Sequence, residues 1–90
     1  MNKNELVAMV ADELGTNRAE AGRHVDVVLG CLMKAIREEG RVALSGFGAF
    51  EVRSRAERIG VNPQTKAPMR IAASRTVAFK PAKYFKDALQ

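Results

Sequence analysis

Residues 53–75 hold six cations (Arg53, Arg55, Arg58, Lys66, Arg70 and Arg75) and a single anion, Glu57. That segment alone carries +5, equal to the net charge of the whole 90-residue chain, whereas residues 1–52 come to −2 and residues 76–90 to +2. Positive charge gathered in one stretch is the footprint of a polyanionic partner. Guanidinium and ammonium groups grip phosphate oxygens and displace condensed counterions. The other reactive types offer little. The lone histidine and lone cysteine, His24 and Cys31, are seven residues apart and can share a helix face. A zinc site needs further ligands, and no third ligand or nucleophile–base–orienter set accompanies them. Gly46-Phe47-Gly48 lacks the third glycine and the following helix of a dinucleotide fingerprint. No catalytic residue, metal site or cofactor is therefore expected, and the chain does not read as an enzyme.

The cations need an element to hold them. Asn62-Pro63-Gln64-Thr65 is a turn signal, with Asn as opener and Pro at the position whose fixed φ starts a β-turn. Ile59 and Val61 alternate with Arg58 and Gly60 before it, and Met69 and Ile71 with Arg70 after it, as in strands. A two-stranded ribbon is expected to reach out from the body. Each leg of about ten residues would span roughly 33 Å, long enough to lie along a nucleic-acid groove. An isolated hairpin is marginal in water, so its tip should be mobile without a ligand. The competing view is a disordered basic loop.

The rest of the chain must form the body, as one domain over residues 1–90. Asn2 to Leu14 reads as a helix, with Asn2 as N-cap, Glu5 three residues on, and Gly15 as its stop. Lys3 in the first turn opposes the helix dipole unless an anion sits there. Thr16 or Asn17 caps a second helix running to about Glu39 and stopped by Gly40. Its apolar positions, Val28 and Leu32 among them, cover more girth than one face requires. Such a helix in so small a protein should touch its own body and a second subunit. Arg41 to Ser45, Ala49 to Val52 and Thr76 to Lys80 read as strands, and Ala82 to Leu89 as a short closing helix. Lys80, Lys83 and Lys86 are spaced by three and can share a surface. Phe47 and Phe50 suit a core or an interface. The single thiol fits a reducing, cytosolic setting. The N-terminus lacks a signal peptide's apolar run, and nothing approaches a membrane span.

Gly46-Phe47-Gly48-x-Phe50, then Arg58-x-Gly60-x-Asn62-Pro63-x-Thr65, then Phe79-Lys80-Pro81-x-Lys83 and Lys86-Asp87-Ala88, resembles the bacterial HU/IHF family of histone-like DNA-binding proteins. The likeness covers essentially the whole chain. It implies an α+β fold and an intertwined homodimer. Each subunit would have two N-terminal helices (residues 1–40), a three-stranded antiparallel saddle sheet (41–52 and 76–81), a long β-ribbon arm (53–75) and a short C-terminal helix (82–90). By the family pattern Pro63 is the wedge between base pairs. Arg55, Arg58, Asn62, Lys66 and Arg70 would lie along the minor groove or its phosphates, with Gly60 and Thr65 also among the DNA-binding residues. Arg53, Arg75, Lys80, Lys83, Lys86 and Lys3 look like phosphate contacts. The dimer core would include Val28, Leu32, Leu44, Phe47, Phe50 and Phe79. Three departures bear on the arm tip and flank: Val61 where many members carry a cation, Lys66 where many have Gly, and Ala82 where Gly is frequent.

The resemblance implies an architectural protein of the bacterial nucleoid that binds, bends and compacts double-stranded DNA with little sequence preference. Nicked or distorted duplexes cost less to kink and should be preferred. A sequence-selective subunit of the IHF type is the alternative within the family. A different class of function is an RNA-binding module that uses the basic ribbon; the proline wedge argues against it, and RNA is kept only as a secondary candidate partner.

Overall fold

The computed structural model describes all of residues 1–90, which form two compact units, Met1–Glu38 and Glu39–Gln90. The first is helical. Helix α1 spans Lys3–Leu14, and its start is set by Asn2, whose extended backbone lets the side-chain oxygen accept from the Glu5 N–H at 3.0 Å. That bond satisfies a donor the first turn leaves open. The Glu5 carboxylate lies 4.0 Å from the N-terminal ammonium. Gly15 ends the helix with φ +65°, and the Thr16 N–H reaches back to the Ala11 carbonyl at 2.9 Å, a Schellman closure.

Helix α2 spans Arg18–Glu39. Between the two candidate caps the structure selects Asn17, whose side-chain oxygen accepts from the Glu20 N–H at 2.8 Å. Val7 and Ala11 of α1 pack with Ala21 and Val25 of α2, and Val10 flanks them. These four small residues are the only buried hydrophobics of the chain. Val27, Val28, Leu29 and Met33 of α2 stay exposed, Val28 at 64%. These apolar side chains are left uncovered by the chain itself. His24 Nε2 sits 3.3 Å from Glu20 Oε1, and Cys31 is an exposed free thiol.

The second unit is built on strands. β1 (Arg41–Leu44), β2 (Gly48–Arg55) and β5 (Ser74–Pro81) form an antiparallel three-stranded sheet in the order β1-β2-β5. β3 (Arg58–Val61) and β4 (Pro68–Ile71) pair as a separate two-stranded ribbon. Helix α3 (Lys83–Ala88) closes the chain. β2 and β5 run further than the sequence pattern suggested. Arg53–Arg55 and Ser74–Arg75, expected within the arm, are paired strand residues of the sheet. Polar exposed residues of this kind carry no apolar alternation, so only the ladder itself reveals them.

At the β1–β2 turn the Phe47 N–H bonds the Leu44 carbonyl at 3.0 Å. Gly46 there has φ +77°. Gly48 is required for a different reason: a Cβ on it would lie 2.5 Å from the Lys80 carbonyl oxygen and 2.6 Å from the Phe79 ring. That absence of a side chain lets four rings gather. Phe79 stands 4.8 Å from Phe50 and 5.3 Å from Phe47 between centroids, and Phe85 of α3 joins at 5.3 Å from Phe47. The Ala82 N–H holds the start of α3 to the Phe47 carbonyl at 2.9 Å. Leu44, Phe47 and Phe79 nevertheless remain 39–44% exposed.

Candidate nucleic-acid interface

The basic segment is carried on one long hairpin whose register never slips. β2–β5 pairs Arg53 with Thr76, Ser54 with Arg75 and Arg55 with Ser74, and β3–β4 pairs Arg58 with Ile71 through Val61 with Pro68. In both ladders the partner numbers add to the same total, so the gap on each leg, residues 56–57 and 72–73, is equal in length and contains no bulge. Alternation along the strands therefore continues across the gap. One ribbon face carries Arg53 and Arg55 in the sheet, then Ile59, Val61, Arg70 and Pro68 beyond it. The opposite face carries Phe50, Phe79, Val52 and Val77, then Arg75, then Arg58, Met69 and Ile71.

The tip is built by Asn62. Its side-chain oxygen accepts from the Gln64 N–H at 2.9 Å and the Thr65 N–H at 3.4 Å, and its N–H bonds the Ala67 carbonyl at 2.9 Å. The expected β-turn over Asn62–Thr65 is one residue wider, because the Asn62 carbonyl accepts from the Lys66 N–H at 2.7 Å. Lys66 takes φ +57°, the only non-glycine residue of the chain with positive φ. Glycine would occupy that conformation without penalty, whereas a Cβ costs roughly 1–2 kcal/mol there. Pro63 is exposed at the apex. Gly60 lies under Ile71, whose Cδ1 would be 2.8 Å from a Cβ at that position.

The charges are distributed unevenly. Arg53, Arg55, Arg58, Lys66 and Arg75 are exposed and free of carboxylate partners, but Arg70 is ion-paired with Glu57 across the ribbon. Lys80 lies exposed on β5 opposite Ala49, and Lys83 and Lys86 are exposed on α3. Lys3, in the helical unit, pairs with Asp26 of α2 at 2.6 Å. Neither the Glu57–Arg70 pair nor the Lys3–Asp26 pair follows the i, i+4 spacing that would reveal it in a sequence. Phe85 is the functional-region ring that the sequence pattern did not single out; its only signal is an aromatic on the closing helix.

An extended antiparallel hairpin with free cations and a proline apex is a shape for grasping a charged polymer. No group of three or more His, Cys, Asp or Glu side chains converges anywhere in the chain. This chain belongs to the bacterial DNA-binding protein family: the family model described as "Bacterial DNA-binding protein" matches residues 1–90. The DNA-binding protein HU of Xylella fastidiosa (strain Temecula1) is 48% identical over 90 residues, covering 100% of this chain and 96% of that protein. The HU protein of Geobacillus stearothermophilus is also 48% identical, with both chains covered in full. Among solved structures, an Anabaena HU–DNA cocrystal structure aligns with TM-score 0.86 at 37% identity, over 99% of this chain and 97% of that one. An HU mutant from Thermotoga maritima aligns with TM-score 0.71 at 26% identity, each chain fully covered. The α+β architecture and the family resemblance expected from the motifs agree with these findings.

Proposed function

We propose that the chain is an HU-type architectural DNA-binding protein. It acts as a homodimer whose two arms enter the minor groove and bend the duplex. The observation that carries this is the in-register hairpin, with five free cations along it and Pro63 exposed at its apex. Arg53, Arg55, Arg75, Lys80, Lys83 and Lys86 contact phosphates, and Lys3 exchanges Asp26 for one. Arg58, Gly60, Asn62, Thr65, Lys66 and Arg70 line the arm, and Pro63 wedges between base pairs. The wedge costs a few kcal/mol per unstacked step, offset by contacts along the bent DNA. Because the minor groove offers a degenerate code, sequence preference is low. The dimer is supported by the apolar surface a single chain leaves uncovered, including Val28, Leu44, Phe47 and Phe79; Leu32 and Phe50 complete that core. Covering such surface is how a chain with so small a core gains stability. The protein works on the nucleoid, without enzymatic activity, and no helix is long and apolar enough to cross a membrane.

The test is affinity for one duplex, intact and nicked, across a salt series, with wild type and Pro63→Ala. Wild type should bind with a steep salt slope and favour the nicked duplex. Pro63→Ala should keep the slope and lose the preference. A variant equal to wild type on both duplexes would leave an arm that grips only the backbone.

A further inference from the structure

We infer that the outer arm holds DNA through an apolar face, with Ile59, Val61 and Pro68 pressed against the sugar walls of the minor groove. The inference rests on the DNA-binding function proposed above and specifies how its outer half works. Ile59 is 79% exposed and Val61 66%, the highest exposures among the strand hydrophobics. Val61 faces Pro68 across the ladder and Ile59 faces Arg70. Cross-strand partners share a face, and alternate residues along a strand do too. The three side chains therefore form one apolar strip beside the Pro63 apex. The two charged neighbours on that face, Arg70 and Glu57, neutralise each other in an ion pair. The strip continues the face that carries Arg53 and Arg55 closer to the body, since the register is unbroken. A duplex gripped by those arginines meets the strip next. The apolar surface a groove offers there is the deoxyribose rims of its walls, and burying apolar area against them adds binding free energy without releasing counterions.

The outer strip and the inner arginines then differ in one measurable respect. Loss of an arginine reduces the salt dependence of binding, whereas loss of the strip reduces affinity at every salt concentration equally. Duplex affinity across a salt series, for wild type and Ile59→Thr/Val61→Thr, tests this. Threonine keeps the β-branched shape that suits the ribbon, so the arm is retained while its apolar character falls. The expected result is affinity on the order of tenfold weaker with an unchanged slope. Unchanged affinity overturns the inference and leaves the DNA-binding proposal standing. A weakening accompanied by a shallower slope also overturns it, because the strip would then act by positioning phosphate contacts. Sedimentation of the free proteins covers the other occupant: concentration-dependent association of wild type beyond the dimer, absent in the variant, assigns the strip to a second copy instead. If wild type fails to bind duplex at all, the proposed function itself falls.

Discussion

The inner and outer halves of the hairpin share one register and differ in almost everything else. The inner half, β2–β5, has neighbours: β1 on one edge and the four-ring cluster on one face. The outer half, β3–β4, is a two-stranded ribbon with no third strand. The inner half carries free Arg53, Arg55 and Arg75 on a supported sheet; the outer half carries exposed Ile59 and Val61 beside a neutralised Arg70, with Arg58 free on the opposite face and Lys66 free at the tip. The contrast shows that a shared register specifies the path of the chain but not its rigidity. Rigidity comes from what is packed against the ladder, and a lone hairpin has little of it.

The two halves should differ most at the rings. With the ring covered as in the dimer proposed above, Phe79→Ala should cost about 3–5 kcal/mol in denaturant unfolding, as for other buried phenylalanines. Ile59→Ala in the outer half should stay within about 0.5 kcal/mol of wild type, because the side chain touches little. Equal effects at the two sites would refute the distinction. Gly48→Ala should come next, at about 2 kcal/mol, since the backbone oxygen of Lys80 cannot yield as a flexible side chain would.

Smaller effects sharpen the electrostatic side. Arg55→Gln should reduce the salt slope of DNA binding by about 0.9 for each phosphate left without its cation, with affinity down roughly tenfold. Glu57→Gln should do the reverse: freeing Arg70 steepens the slope and tightens binding a few-fold, making the outer arm behave more like the inner. Thermal stability should barely change, because exposed ion pairs contribute little. The smallest effect is expected for Lys66→Gly. It removes the positive-φ penalty at the tip, offset in part by the entropy of a glycine in the unfolded chain. Amide exchange at Asn62 and Ala67 should slow modestly while the global unfolding midpoint stays within error.

The legible parts were local. Asn2 and Gly15 mark the first helix through bonds spanning three to five residues, and Asn62-Pro63 marks the tip for the same reason. Thr16 and Asn17 were equally good caps in one dimension, and only the position of the Glu20 N–H chose between them. The extent of β2 and β5 was hidden because Arg53, Ser54, Arg55, Ser74 and Arg75 have no apolar face to alternate. The Glu57–Arg70 pair was hidden because its members are thirteen residues apart and meet only through the register.

Sequence alone determined where charge concentrates, where helices stop, where the chain reverses and which family the motifs resemble. Each of these depends on residue type and short spacing. Tertiary structure decided which cations are free, which face of the arm is apolar, why Gly48 cannot carry a side chain, and that Phe85 joins Phe47, Phe50 and Phe79. Those outcomes depend on groups far apart in the chain, whose proximity follows from strand pairing and packing rather than from any local preference.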